Sequence, residues 1–370
     1  MKLRNKILIG VAGFFFTAFA ALAITLSYEA PCPAVIPLAD GTESMRAVVQ
    51  RCYGSPTNLR VERIAKPTPK DEQVLVKVHA ASVNPAEWHR VTGKPYILRL
   101  DAGIGAPKGF RVGFDYAGVV ESVGAKVTRF KPGDEVWGVA GGALAEYVVV
   151  REAASILLKP PQMSLEEASA IPIAAITALQ GLRDHGHIAA GQKVLINGAS
   201  GGVGTYAVQI AKALGAEVTG VCSTRNVELV RSLGADHVID YTKEDVTGTT
   251  ERYDLILDNV GNHRLRALTA ITKPTGTLVV VSGPKTNAFL GPISRVIKLK
   301  LLEHFVDQRL VFFIANVNPK DLGFLADLVR EGKMKTVVDR RYPLAEAGVA
   351  LEYIGTGRAR GKVVVTVAEH

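Results

Sequence analysis

Cysteine is nearly absent from this chain, 3 of 370 residues, which excludes a small fold stapled by disulfides. The polar excess of a disordered chain is missing too, since 48% of residues are hydrophobic and 21% charged. The 36 Gly and 18 Pro fall well short of a collagen pattern, and no segment repeats with a period of roughly 20–50 residues. The net charge is +9, and Lys2, Arg4 and Lys6 supply three of those charges ahead of an apolar run. The remainder is mild, without a dense basic tract or a nucleic-acid-binding motif, so no nucleic-acid partner is expected. Length is what the chain has. It suffices for two ordinary domains and for a core that encloses a ligand.

Charge is absent altogether from Ile7 to Leu26, 20 residues reading ILIGVAGFFFTAFAALAITL. A helix of that length rises about 30 Å, the thickness of a bilayer core. Residues 1–26 therefore read as a membrane anchor with one N-terminal transmembrane helix. A cleaved signal segment is the alternative, although its apolar region usually spans only about 7–15 residues. The small-residue stretch Ala21-Leu22-Ala23 falls inside the run rather than after it. Cys32 follows Glu29-Ala30-Pro31, a poor context for a lipid-modified cysteine. Cations ahead of the run place the bulk of the chain across the membrane from the cytosol. Residues 27–45, with Pro31, Pro33 and Pro37 and no periodicity, read as a linker.

Beyond the linker the texture changes twice. From Met45 to about Lys159, runs such as Gln73–Val83, Tyr116–Val123 and Ala145–Val150 are rich in β-branched residues and broken by Gly and Pro. From about Ser164, helical stretches (Leu165–Ala170, Tyr206–Leu214) alternate with short apolar strands at Lys193–Asn197, Glu217–Val221, Asp254–Asp258 and Thr277–Val281. That alternation predicts an α/β fold with a doubly wound parallel sheet. Strand-like text returns at Thr336–Arg341 and Gly361–Val367.

The strongest motif lies between the first of those strands and the next helix. Lys193–Asn197 runs into Gly198-Ala-Ser-Gly-Gly-Val-Gly204, and an Ala-rich helix is expected from Thr205. A glycine-rich turn in that context lets backbone approach a pyrophosphate, whose charge rests on the helix N-terminus. Ala199, Ser200, Gly201, Gly202, Val203 and Gly204 are the candidate contacts, with Ala199 where a strict G-x-G-x-x-G has its first Gly. A carboxylate about 20 residues further on would bind the ribose 2′-hydroxyl of NAD. This chain reads Val221-Cys-Ser-Thr-Arg-Asn226 there, without an acid. Ser223, Thr224 and Arg225 suit a 2′-phosphate, because a guanidinium pairs with phosphate bidentately. NADPH is the expected cofactor, with NADH as the alternative.

Residues 46–370 resemble the medium-chain dehydrogenase/reductase superfamily, in its zinc-free quinone oxidoreductase branch. The resemblance is carried by Val83-Asn-Pro85, Gly113-Phe-Asp-Tyr-Ala-Gly-Val-Val120, Phe130-Lys-Pro-Gly-Asp-Glu-Val136, the glycine loop, Leu233–Tyr241 and Gly361-Lys-Val-Val364. It implies a GroES-like β-barrel domain over 46–163, completed by 315–370, and a Rossmann domain over 164–314. It also implies that Asn84 lies near nicotinamide and substrate, that Thr177 touches the nicotinamide ribose region, and that Tyr241, Asn259 and Lys362 line the nucleotide path. Tyr96 is the candidate proton donor by likeness to some enoyl reductases, with core or cleft packing as its other reading. Homodimers are usual in the family.

No zinc is expected. Zinc-containing members carry Gly-His-Glu where this chain has Gly113-Phe114-Asp115, and a Cys near the place of Asn84. Val136–Gly142 runs almost directly into Ala145, so the lobe holding structural zinc is missing. A catalytic zinc needs three protein ligands, and His185 and His187 beside Gly186 read as a loop. Without a metal to polarise a carbonyl, hydride is better delivered to an acceptor that spreads the incoming charge by conjugation, with hydrogen bonds on the developing oxyanion. The expected function is NADPH-dependent hydride transfer to a quinone or α,β-unsaturated carbonyl. The alternatives are a zinc-free NADP-dependent alcohol dehydrogenase or carbonyl reductase, and a non-catalytic NADP(H)-binding membrane scaffold or sensor. Phe289–Phe305 places apolar residues among Arg295, Lys298 and Lys300. It reads as a lid or subunit-contact helix, or as a basic amphipathic helix at a membrane surface. The side of the membrane stays open, since the charge rule exports a domain whose NADPH is made in the cytosol.

Overall fold

A computed structural model of the chain describes residues 17–35, 37–283 and 287–368. Two sheets organise it. The six-stranded parallel sheet runs, edge to edge, His237–Asp240, Glu217–Cys222, Lys193–Asn197, Tyr253–Asp258, Thr272–Val280 and Arg309–Phe312. Its central strands are almost continuously apolar and buried, because helices such as Pro172–Arg183 and Gly202–Ala213 shield its faces. The order reverses beside Lys193–Asn197, the switch point at which open α/β sheets bind ligands.

The second sheet has seven strands, centred on Gln73–Val83. That strand pairs antiparallel with Asp115–Val123, Tyr147–Arg151 and Lys362–Thr366. The last pairing is decisive for the site, since it sets Val83 opposite Val363 and carries Lys362 back to Asn84. Ser44–Val49 and Arg60–Ala65 form a separate antiparallel pair, bridged to the larger sheet region at Ala47–Ala145. The chain is thus a Rossmann-like parallel sheet joined to a GroES-like β domain, as the alternation and the resemblance led one to expect.

The N-terminus departs from expectation. Residues 7–16 of the expected span lie outside the described residues, and residues 17–27 are helical. Among the described residues no helix is long and apolar enough to cross a membrane. The expected linker is docked instead of free. Arg99, with no exposed surface, donates to the carbonyls of Leu26 (3.1 Å) and Tyr28 (3.0 Å) and to the Glu29 carboxylate (2.7 Å). Its guanidinium lies 4.3 Å from the Tyr53 ring centre and 4.6 Å from that of Tyr96. Ala30 N–H donates to Gly105 O at 2.9 Å, and Cys32 is disulfide-bonded to Cys52 with their Cα atoms 5.1 Å apart. The scarcity of cysteine ruled out a scaffold and concealed this single staple. A proline-rich stretch without periodicity gave no sign that a buried guanidinium would claim its carbonyls.

Candidate active site

The chain leaves strand Lys193–Asn197 through Gly198, at φ 78°, and enters helix Gly202–Ala213 with Gly201 as its N-cap. The helix begins three residues ahead of the Thr205 expected from sequence. Its first-turn N–H groups therefore lie within the glycine loop, without intrahelical acceptors. Close packing dictates one glycine: a Cβ on Gly204 would sit 2.1 Å from Gly198 O. At Gly201 and Gly202 an added Cβ would meet only ordinary contacts, Gly198 O at 3.5 Å and the Lys362 side chain at 3.4 Å. An anion thus has room to approach the N–H groups, which favour negative charge. Ala199 is buried against the sheet, its N–H donating to Val221 O at 3.0 Å, and Val203 is half-buried behind the turn.

The following strand delivers the second group of candidates. Ser223 precedes a short 3-10 turn over Thr224–Asn226. Thr224 Oγ1 donates to Asp240 Oδ2 at 2.6 Å, and Arg225 donates to the carbonyl of Arg358 at 3.0 Å. Hydrogen bonds from Thr224 and Thr242 hold the Asp240 carboxyl down to about 2. A carboxylate missing after strand Glu217–Cys222 is therefore present at the end of the neighbouring strand, already engaged by hydroxyls. Tyr241 follows it and is exposed. Asn226 was not anticipated: it is buried and donates to Ser200 Oγ (3.0 Å) and Ser223 Oγ (3.2 Å), tying the glycine loop to this turn.

Where the two domains meet, the structure brings together residues 278 apart in sequence. Lys362 Nζ donates to Asn84 Oδ1 at 2.5 Å and lies 3.4 Å from Asp115 Oδ2. Asn84 Nδ2 donates to the same Asp115 oxygen at 3.0 Å, as does Ser82 Oγ at 3.1 Å. Ile173 N–H donates to Asp115 Oδ1 at 3.1 Å, and Thr177 Oγ1 donates to Ile173 O at 2.7 Å one turn away. Gly361, next to Lys362, bridges to Gly201. Asn84, Lys362 and the glycine loop thus share one region, with Thr177 joined to it through Ile173 and Asp115.

Beneath Asn84, Glu87 closes a capping box at the start of helix Pro85–Thr92, its Oε2 accepting from Asn84 N–H at 3.0 Å. Burial, reinforced by the Asp115 charge, pushes its carboxyl up to about 8. Glu87 also borders a cleft of about 360 Å³ on the barrel side, together with Gln50, Arg90, Phe114 and the segment Pro107–Gly113.

The other sequence candidates fall at the edges. Tyr96 is half-buried, its ring edge-on to Phe289 at 5.9 Å and beside Arg99. Tyr96 N–H donates to Ala288 O and Ile97 N–H to Phe289 O, so the approach to the amphipathic segment reaches across to the barrel. Within that segment Ile293–Leu302 is a helix, but Arg295 is not on its basic face. Arg295 is buried, donating to Asp258 Oδ2 at 2.6 Å and to His263 O at 2.7 Å. The carboxylate at the end of strand Tyr253–Asp258 draws it inward. No local pattern announces that pairing.

The residues fit a nicotinamide dinucleotide. Both amide atoms of Asn259 and the Oδ1 of Asn226 are buried and without partners among the described residues. Such groups are costly unless something bonds them. Among the described residues, no group of three or more His, Cys, Asp or Glu is placed to hold a metal ion.

Comparison with known proteins agrees with this architecture. Residues 70–161 match the alcohol dehydrogenase GroES-like domain, and residues 233–365 match the family described as zinc-binding dehydrogenase. The mouse mitochondrial NAD(P)H oxidoreductase RTN4IP1 is 37% identical over 330 residues, covering 80% of this chain and 82% of that protein. The tomato 2-methylene-furan-3-one reductase is 34% identical over 365 residues, covering 95% of this chain and 86% of the relative. The solved quinone oxidoreductase of Coxiella burnetii superposes with a TM-score of 0.76 at 31% identity, covering 88% of this chain and all of that one. The chain belongs to the medium-chain dehydrogenase/reductase superfamily, as an NAD(P)-dependent oxidoreductase with quinone oxidoreductase-like relatives.

Proposed function

We propose that the protein reduces a quinone or α,β-unsaturated carbonyl with NADPH, without zinc. The buried Asn84–Asp115–Lys362 cluster carries this reading, because it puts a fixed cation beside the glycine loop, where Ile173 and Gly201 of the Rossmann-like part meet it. The bound nucleotide would supply the hydride. Lys362 has three N–H donors and directs two toward Asn84 and Asp115. The third is left for an oxygen of cofactor or acceptor, where an oriented donor in a dry site is most effective. Thr177 and Asn259 line the nicotinamide path, the loop Ala199–Gly204 receives the pyrophosphate, and Ser223, Thr224 and Arg225 with Tyr241 flank the adenosine. Tyr96, held between Arg99 and Phe289, has a packing role at the cleft rim. The names of the tomato and Coxiella relatives, an enone-type reductase and a quinone oxidoreductase, support the acceptor class.

The test follows NADPH and NADH oxidation by the full chain in detergent with a benzoquinone, an enone, an enal and a saturated ketone. NADPH-specific reduction of the conjugated acceptors alone is the expected result. Reversible alcohol oxidation at alkaline pH would move the chain to the alcohol dehydrogenases. Tight NADPH binding without turnover would leave a binding scaffold.

A further inference from the structure

The cleft beside Glu87 has a lining chemistry that reduction of a neutral enone does not require. Arg90, Lys108 and Arg111 all border it, with Phe110 and Phe114 as its aromatic walls. The Arg90 guanidinium lies 5.6 Å from the Phe114 ring centre. Among the described residues none of the three cations forms an ion pair, although ion pairs are frequent elsewhere on the molecule. Glu87 is the one carboxyl bordering this cleft, and its raised pKa keeps it largely uncharged at neutral pH. Three like charges around one concavity repel one another, a repulsion that water and salt screen in part because all three residues are exposed. Low-dielectric walls focus their field into the space between them. An anion in the cleft relieves that repulsion and gains charge-assisted hydrogen bonds.

Building on the proposed reduction, we infer that the natural acceptor carries an anionic group, a carboxylate or phosphate, set apart from its conjugated carbonyl and received by Arg90, Lys108 and Arg111. The aromatic walls take the apolar stem between the two ends. The anion does not take part in hydride transfer, so its contribution appears in substrate binding.

The experiment compares three enones of equal chain length, ending in a carboxylate, its methyl ester or a phosphate, with the full chain and saturating NADPH. The carboxylate is expected to exceed the ester by about tenfold in kcat/KM, the scale of one charged hydrogen bond. The gain should lie in KM and shrink as salt is raised. In the Lys108→Ala/Arg111→Ala variant the ratio of carboxylate to ester should fall toward one, while NADPH binding reports that the variant is folded. If the phosphate gains more than the carboxylate, the anion is a phosphate. Equal kcat/KM for all three, or an unchanged ratio in the variant, overturns the inference while leaving the reductase reading intact. Calorimetric titration with the saturated carboxy ketone reads the site independently of turnover. NADPH oxidation by none of the enones, with the carboxylate still binding there, would sink the reductase reading and keep the anion site.

Discussion

Glu87 shows how one residue links local structure to the pH response of the whole fold. In an unfolded chain its carboxyl titrates near 4.5, whereas burial and the Asp115 charge raise it to about 8 in the fold. Lys362 opposes that rise from the facing strand, and Arg90 shares the cleft from Glu87's own helix. Between those two pH values the folded state keeps a proton that the unfolded state has lost. This contribution to stability is therefore complete below about pH 4.5 and is lost as pH rises toward 8. Glu87→Gln keeps an acceptor for the capping box and removes the proton. Its urea midpoint should fall less between pH 5 and pH 8 than that of the unchanged chain, and parallel slopes would refute the assignment. Part of this was readable in advance. Asn84-Pro-Ala-Glu87 is the spacing of a capping box, and Asn84, Asp115 and Lys362 each sit in a recognisable motif. Their convergence was implied only by the resemblance, which has 315–370 complete the barrel. Periodicity and spacing do not carry it, because it depends on strand Lys362–Thr366 pairing with Gln73–Val83, a contact that no local pattern encodes.

At the scale of elements, the glycine loop separates packing from binding. Gly204→Ala puts a methyl against Gly198 O, so strand and helix must move apart. Stability should drop by about 1–3 kcal/mol, the usual cost of overpacking, and NADPH affinity should fall with it. Gly201→Ala meets only Gly198 O at 3.5 Å, and its φ of −83° suits alanine. That variant should keep the parent's thermal midpoint and still lose about tenfold or more in NADPH affinity, since the methyl occupies the approach to the pyrophosphate. Thermal melts paired with NADPH fluorescence titration check both, and equal affinity in Gly201→Ala would move the nucleotide elsewhere. The strand–loop–helix order was legible from periodicity and glycine spacing. The helix Ile293–Leu302 was legible as amphipathic but not in its orientation: Arg295 reads as a surface cation until Asp258, 37 residues earlier, is found beneath it.

For the whole molecule, the N-terminal run and the disulfide carry one joint expectation. The run reads as a membrane attachment from its sequence alone, since residues 7–16 lie outside the described residues and no described helix is long and apolar enough to cross a membrane. On the strength of the disulfide we propose that the catalytic body faces an oxidising compartment, where NADPH would have to be retained or supplied locally. A disulfide such as Cys32–Cys52 persists there, and the cations ahead of the run assign the body to that same side. The full chain should remain in the membrane pellet after carbonate extraction, with these two cysteines alkylated only after reduction. Free, readily alkylated Cys32 and Cys52 in freshly isolated membranes would place the body in a reducing compartment.

The docking of residues 26–32 also decides where the chain tolerates being shortened. Starting it at Ser44, the first residue of a regular strand, strips Arg99 of two carbonyls and of Glu29. A buried guanidinium left with Gly93 O as its one remaining acceptor among the described residues should cost about 2–3 kcal/mol, seen as a lower urea midpoint than for a chain starting at Thr17. Equal midpoints would mean that water replaces those acceptors freely. Arg99 opens the short helix Arg99–Ala102, and the chain runs on from there into the cleft wall at Pro107–Gly113, so one guanidinium ties the N-terminal segment to the stretch that borders the cleft. An attachment made through the residues ahead of Leu26 would therefore reach the cleft wall by way of Arg99.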